Sequence, residues 1–372
     1  MTKERSSLGI YVHIPFCLKK CNYCDFVSFP IANYEKCIDE YIDRVCNEVE
    51  KTSQVYRNKY LVDTIYFGGG TPSALASDFV GRILLCIKKN YDIRSDAEIS
   101  IELNPETVTE SKAGALKGLG FNRVSMGVQS LNDDILMTLG RVHNSAKAQE
   151  SYKILRNAGF ENINLDMMLG VPGQNFEVFA SDFEKILLME PEHISFYGLQ
   201  IEEGTPFYRD YKNGNIDIPS WEENRKMYHY AVGVLKERGY HHYEVSNASK
   251  PGFECRHNLK YWTMMDYLGF GTAAHSFIDG QRFYNTDGLD YHREYESVSD
   301  GEMDAAREAD RIFTGLRLID GTDFGEAFCG KYENVIKEMI GDGYIKKIGS
   351  TLSFTEKGLD STNIVIGRFL NV

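Results

Sequence analysis

Along the first 240 residues one pattern recurs. A short run rich in β-branched and aromatic residues is followed by small or polar residues, and then by a stretch with helical spacing. The runs are GIYVHI from Gly9, VDTIYF from Val62, EISIEL from Glu98, RVSMGV from Arg123, NINLDMML from Asn162 and HISFYGL from His193. They lead into three cysteines, GGGTP, NPE, QSL, GVPGQ and QIEEGTP respectively. Helices are predicted over Tyr34–Glu50, Asp78–Lys89, Ser145–Asn157 and Phe176–Met189, and another over Trp221–Arg238 closes the region. Alternating strand and helix predicts a parallel α/β sheet. Six such units predict a partial TIM-like (β/α)6 barrel over residues 1–240, with its site in the loops after the strands. Every distinctive word sits at such a strand end.

Beyond it the pattern changes. Residues 241–303 read as an irregular, aromatic-rich accessory segment that includes HNLKYW. Residues 304–372 read as three short helical segments, the hairpin-like GYIKKIGSTLSFTEKG and a final amphipathic run, which together predict a winged-helix-like C-terminal domain. Such a domain can bind DNA, but from Asp304 onward nine Lys/Arg face eleven Asp/Glu. The whole chain carries a formal net charge of -13. Neither balance attracts a phosphate backbone, so no nucleic-acid partner is expected and the domain reads as a lid or docking module. The N-terminus has no apolar signal core, and no run is long enough to span a bilayer, which predicts a cytoplasmic protein. In that compartment the 8 cysteines are not expected to pair. Cys37, Cys46, Cys86 and Cys329 are scattered and read as small buried hydrophobes.

The exception is HIPFCLKKCNYCDF, which spaces Cys17, Cys21 and Cys24 as C-x3-C-x2-C. Three thiolates on one short loop suit a soft metal or an iron–sulfur cluster. Structural zinc wants a fourth protein ligand. His13 is the nearest one, although zinc would leave GGGTP unexplained. A 4Fe–4S cubane on three thiolates leaves one iron open to another ligand. Gly68, Gly69 and Gly70 lack a Cβ, so they let backbone approach a ligand closely; the plain alternative is a tight turn.

The words YVHIPFC, YFGGGTPS, IELNPE, RVSMGVQSLN, LGRVHN, LDMMLGVPGQ and HNLKYW, in this order, resemble those of radical S-adenosylmethionine (SAM) proteins. More narrowly, they resemble the oxygen-independent coproporphyrinogen III oxidases and their heme-chaperone relatives of HemW type. The resemblance covers nearly the whole chain. It implies SAM on the open iron and its reductive cleavage to methionine and a 5′-deoxyadenosyl radical. It also implies SAM contacts from Gly68, Gly69, Gly70, Thr71, Glu102, Gln129, Arg141 and Asp166, with Tyr11, Tyr23 and Gly198 bordering them. Glu102 would accept a hydrogen bond, and Gln129 and Arg141 would donate. The Arg141 fork suits a carboxylate. Asp166 lies in an apolar run and needs a partner such as a ribose hydroxyl.

In the oxidases one more cysteine follows the triad. Here the sequence reads Cys24-Asp25-Phe26, as in the chaperone relatives, which also share H-N-x-x-Y-W. His257 in HNLKYW is therefore the candidate heme ligand, with a structural histidine as its alternative; Cys255 and His275 are weaker candidates. The function expected is a heme chaperone built on a cluster-and-SAM scaffold. The alternatives are oxidative decarboxylation of coproporphyrinogen III or another radical reaction on a tetrapyrrole. Expected partners are heme, SAM, an acceptor hemoprotein such as a membrane-associated respiratory protein, and an electron donor such as flavodoxin or ferredoxin.

Overall fold

A computed structural model describes residues 5–295 and 300–370. Six strands follow one another, β1 (Ser6–Ile14), β2 (Tyr60–Gly69), β3 (Ile93–Leu103), β4 (Arg123–Gln129), β5 (Asn162–Leu169) and β6 (His193–Gly198). Each pairs in parallel with the next, which gives the six-unit α/β half-barrel expected from the sequence. The helices between them fall at α1 (Ile38–Tyr56), α2 (Ser77–Asn90), Ser145–Asn157 and Phe176–Leu188, close to their sequence positions. Local chemistry sets those starts. Asn144 Oδ1 accepts from Lys147 N at 2.8 Å, and Asn175 Oδ1 from Val178 N at 2.9 Å, so each caps its helix. α1 starts later than expected because two short 3-10 turns, Ile31–Asn33 and Glu35–Cys37, come first.

The two faces of the half-barrel differ in chemistry. Ile10, Val12, Ile14, Phe67, Ile101 and Leu165 are fully buried and alternate with polar neighbours along their strands. Burial of each such side chain contributes about 1.5–3 kcal/mol. The alternate set is polar, and register aligns it across strands: Ser100 faces Arg123, Glu102 faces Ser125, Gly127 faces Asp166, and Asn164 faces His193. A period of two therefore sends apolar residues to one face and a polar layer to the other.

The accessory region is more ordered than its sequence indicated. It holds strands His241–Glu244, Asn247–Ser249, Tyr267–Phe270, His275–Ile278 and Gln281–Asn285, and the helix Arg256–Trp262. Strands of three to five residues are too short to show a clear period, which is why the stretch read as irregular. Tyr267–Phe270 pairs in parallel with β1 on the side away from β2, as a seventh parallel strand. Glu48 on α1 then clasps the segment that follows: its carboxylate accepts from Gly271 N, Asn285 Nδ2, Tyr291 Oη and Arg293 Nη2, at 2.8–3.1 Å.

The chain divides into two compact units. One is Met1–Val234 with Asp266–Glu296, and the other is Leu235–Met265 with Ser297–Val372. The three-part division drawn from sequence treats 241–303 as one piece, whereas here those residues are shared between the units. In the second unit, helices Asp300–Gly315, Glu326–Lys331 and Glu333–Gly341 pack with a three-stranded antiparallel sheet, ordered Thr322–Asp323, Thr351–Phe354, Ile345–Ile348. Its core includes Leu316, Phe328, Ile336, Leu352 and Phe369. This helix–strand–helix–helix–hairpin order is the expected winged-helix arrangement.

Candidate functional site

β1 runs into Phe16–Cys17, which pairs with Phe29–Pro30. Cys17 ends the first of these strands, and the loop between them carries Cys21 and Cys24. It is held at both ends and in the middle. His13 Nε2 lies 2.9 Å from the Val27 carbonyl oxygen. A carbonyl only accepts, so Nε2 bears the proton and Nδ1 accepts from the Tyr11 hydroxyl at 3.1 Å. Burial lowers the pKa of His13 and keeps this neutral form. Both ring nitrogens are thus engaged, and His13 is not a zinc ligand here. In mid-loop Asn22 takes over: its N–H donates to Leu139 O at 3.0 Å, its Nδ2 to Thr138 O at 2.9 Å, and its carbonyl accepts from Phe207 N at 2.9 Å.

Among the described residues, no three His, Cys, Asp or Glu side chains converge to hold a single metal ion. Mononuclear zinc needs all its ligands about 2.0–2.3 Å from one centre. In a cubane each thiolate binds a different iron. The surroundings favour sulfur ligands. Thr71 Oγ1 donates to Cys17 Sγ at 3.4 Å, and Arg141 Nη1 to Cys21 Sγ at 3.6 Å. Burial raises the Cys17 thiol and pushes Cys24 up to about 11, and the neighbouring thiols add to both shifts. Without a metal these sulfurs keep their protons at neutral pH. A cationic cluster core would draw the protons off.

The GGGTP turn is sewn to the strand that feeds this loop. Gly70 N donates to Ile14 O at 2.9 Å and Thr71 N to Phe16 O at 2.8 Å. A Cβ on Gly70 would stand 2.9 Å from Ile14 O, and one on Gly68 would stand 2.9 Å from Glu102 Oε1. Gly69 has φ +107, and its N–H donates to Glu102 Oε2 at 3.1 Å. The glycines are thus required by close approach of the protein's own groups, in addition to any ligand.

Glu102 closes β3. Its Oε1 accepts from the Tyr66 hydroxyl at 3.0 Å. Burial, and then the nearby Asp166 carboxylate, raise its pKa from 4.5 to about 7. Asp166 is raised as well, chiefly by burial, and accepts from Asn164 Nδ2 at 2.7 Å. The charge of buried Arg123 opposes the rise at both carboxylates. Gln129 ends β4 at a register shift with φ +69, an uncommon conformation for a residue with a Cβ. Its Oε1 accepts from the Tyr197 hydroxyl at 2.9 Å. Arg141 Nη2 donates to Gly127 O at 2.6 Å, while its buried Nε has no hydrogen-bond acceptor. That orphaned donor, beside carboxylates and thiols, suits an incoming ligand oxygen. Tyr23 hydrogen-bonds Arg141 and packs among Leu139, Met168 and Phe207. Gly198 lies exposed at the end of β6, its register partner being Leu169.

All the residues proposed from sequence for cluster and SAM lie in the first unit. His257 is in the second. It is fully buried, with Nε2 2.8 Å from the Tyr261 hydroxyl. In this state the imidazole offers no open face to a planar macrocycle, so ligation would require the helix Arg256–Trp262 to rearrange. That helix is tied to its unit by Arg317, whose guanidinium lies 4.5 Å from the Trp262 ring and 3.3 Å from Glu244. Cys255 is also fully buried, and its N–H donates to the Tyr243 hydroxyl at 3.3 Å. His275 is exposed and stacks on Tyr284. Phe26 is 63% exposed.

Sequence reasoning missed the supports: His13 as a pin, Asn22 as the loop anchor, and Asn164. Asn164 Nδ2 also donates to Ser125 Oγ at 2.7 Å, while its Oδ1 lies 2.6 Å from His193 Nδ1 and accepts from Ser195 Oγ at 3.2 Å. The strict alternation of Asn162, Asn164 and Asp166 along β5 was the available signal.

A parallel half-barrel with a three-thiol loop after its first strand defines the class of protein. The family model described as the radical SAM superfamily matches residues 11–223. The protein named heme chaperone HemW of Bacillus subtilis (strain 168) is 33% identical, over 97% of this chain and 98% of its own length. Its namesake of Haemophilus influenzae is 36% identical over 98% of both. Among solved structures, coproporphyrinogen III oxidase (HemN) from Escherichia coli superposes with a TM-score of 0.82 at 22% identity, over 98% of this chain and 90% of that one. The chain belongs to the radical SAM superfamily and, within it, to the family of the HemW proteins. A 4Fe–4S cluster and SAM are the cofactors that superfamily implies. Among the described residues, no helix is long and apolar enough to cross a membrane.

Proposed function

We propose that this chain is a heme chaperone that binds heme and hands it to an acceptor hemoprotein. It carries a 4Fe–4S cluster on Cys17, Cys21 and Cys24, and SAM on the open iron. The observation that carries this reading is the end-to-end match with relatives named heme chaperones. Likeness to the oxidase is likeness of fold, and the cysteine that follows the oxidase triad is here the exposed Phe26. The protein works in the cytoplasm with a small electron donor such as flavodoxin or ferredoxin.

When bound, the cluster supplies one-electron reductive cleavage of SAM. The chain's own residues do the holding. Thr71 and Arg141 donate to the sulfurs of Cys17 and Cys21, and Arg141 Nε would be the donor for a SAM carboxylate. Glu102 and Asp166 would accept from SAM donors. Gln129 is fixed by Tyr197, and the glycines leave room.

Glu102 gives this site a pH signature. Its folded pKa, about 7, lies above the ordinary 4.5. Between these values the folded chain keeps a proton that the unfolded chain has lost. This group therefore favours folding most at low pH, and its contribution, up to about 3 kcal/mol, fades as pH rises through about 7. A cationic ligand group prefers the ionised carboxylate, so SAM affinity should rise over the same interval. In Glu102→Gln both dependences should flatten. Calorimetric SAM titrations and urea unfolding across that pH range test this, and an unchanged slope in the variant would remove Glu102 from the site.

The decisive functional experiment uses anaerobic, cluster-reconstituted protein. It is titrated with heme and, separately, incubated with coproporphyrinogen III, SAM and reductant. Stoichiometric heme binding without protoporphyrinogen supports the chaperone, whereas turnover supports the oxidase. His257→Ala should weaken heme binding and leave the cluster absorbance unchanged. If heme affinity is equal to wild type, His257 is a packing residue of its helix and the ligand lies elsewhere.

A further inference from the structure

α1 and α2 lie side by side on the first unit, and each presents one cysteine to the other. Cys86 Sγ donates to the Cys46 carbonyl oxygen at 3.6 Å, which brings its sulfur against the Cys46 residue. Neither is fully buried, so small reagents can reach both, which departs from the buried-hydrophobe reading of their sequence positions. Two partly exposed cysteines on neighbouring helices, with the Cys86 sulfur 3.6 Å from the Cys46 carbonyl oxygen, are near enough for side-chain rotation to join them covalently.

We propose that Cys46 and Cys86 form a reversible dithiol–disulfide pair that staples α1 to α2. Neither residue belongs to the cluster triad or to the SAM site. The surroundings assign the roles. The neighbouring Cys46 thiol lowers the Cys86 pKa most, Asn90 Nδ2 donates to Cys86 Sγ at 3.6 Å, and Lys89 adds positive potential there, so Cys86 is the sulfur that more readily loses its proton. The Cys46 thiol keeps its proton, held up by the neighbouring Cys86 thiol and by burial. Oxidation proceeds by thiol–disulfide exchange with a small disulfide such as glutathione disulfide. The Cys86 thiolate attacks one glutathione sulfur, forms a mixed disulfide and releases the other glutathione as thiolate. Cys46 then gives up its proton and attacks the Cys86 sulfur, which releases the second glutathione. Two cysteine thiols become one disulfide, and the oxidant leaves as two thiols with the two electrons and two protons.

The bond would close a loop containing the whole of β2 and the Gly68–Thr71 turn. α1 also carries Tyr41, whose hydroxyl donates to His13 O at 2.8 Å and accepts from Thr272 N at 3.1 Å. The staple therefore ties together the framework under the cluster loop. It adds a record of thiol redox state outside the site, and stands independently of the heme reading.

The test uses the full chain with its cluster in place, equilibrated anaerobically with glutathione and glutathione disulfide. Free thiols are then alkylated and the protein is digested without reductant for mass spectrometry. The expected result is a linked pair of peptides containing Cys46 and Cys86, lost on adding dithiothreitol, with Cys37 and Cys329 alkylated. The variant Cys46→Ser should instead accumulate glutathione on Cys86, since the resolving thiol is gone. Iron content and visible absorbance, read in parallel, confirm that the triad is still ligated. If wild-type protein gives both cysteines alkylated, or glutathione on Cys86 with no linked pair, at oxidant levels that oxidise a control dithiol peptide, the proposal is overturned.

Discussion

Cys21→Ser should lose the 4Fe–4S absorption and most of the iron, and with them SAM cleavage, while the fold stays intact. The site geometry makes this the sharpest of the triad substitutions. Cys17 is only 8% exposed, so replacing it would also disturb packing. Cys21 is half-buried, and its sulfur faces the Arg141 guanidinium at 3.6 Å. A serine hydroxyl would still accept that hydrogen bond. It would not supply a thiolate, because its pKa lies far above that of a cysteine and it is a harder donor for iron. Circular dichroism should match wild type. Iron analysis, visible spectroscopy and methionine release from SAM under dithionite give the readouts. An intact cluster band in the variant would refute Cys21 as a ligand.

Gly69→Ala should be strongly destabilising. Two effects combine. At φ +107 an L-residue is strained by about 1–3 kcal/mol. The added Cβ would also stand 2.5 Å from His13 Cε1 and 2.7 Å from each ring nitrogen. His13 cannot swing away without breaking its bonds to Val27 O and Tyr11 Oη, and it is buried. Overpacking of this kind costs roughly another 1–3 kcal/mol. The damage should also spread to chemistry, because His13 pins the far end of the cysteine loop. Urea unfolding should show a total loss of about 2–6 kcal/mol, and iron uptake on reconstitution should fall. Gly114, whose Cβ would meet nothing within 4 Å, is the control: Gly114→Ala should be neutral or slightly stabilising on its helix. Equal effects at the two positions would show that the His13 contact does not constrain the turn.

Some of this protein was legible because its signals are local. Ser145–Asn157 can be placed from sequence because the Asn144 cap and the apolar spacing lie within one short window. The cysteine triad is a spacing within eight residues, and GGGTP is a single turn. The order of six strand–helix units follows from repetition, since parallel neighbours need a crossover between them. Other features depend on partners far away in the chain. Tyr267–Phe270 is four residues long and becomes a parallel strand only because β1 has a free edge for it. Glu48 looks like any surface glutamate until Gly271, Asn285, Tyr291 and Arg293 arrive from more than two hundred residues later.

The sequence by itself determined the fold class, the cysteine loop, and which strand ends carry polar words, because backbone preference and side-chain period are short-range properties. Only the tertiary structure decided that His13 is a pin, that Asn22 anchors the loop, that His257 is sealed in its own helix, and that Cys46 meets Cys86. Apart from the His257–Tyr261 bond, which lies within one helix, each of those is a hydrogen bond whose other half lies elsewhere in the chain. No local rule specifies such a pairing before register and packing bring the two halves together.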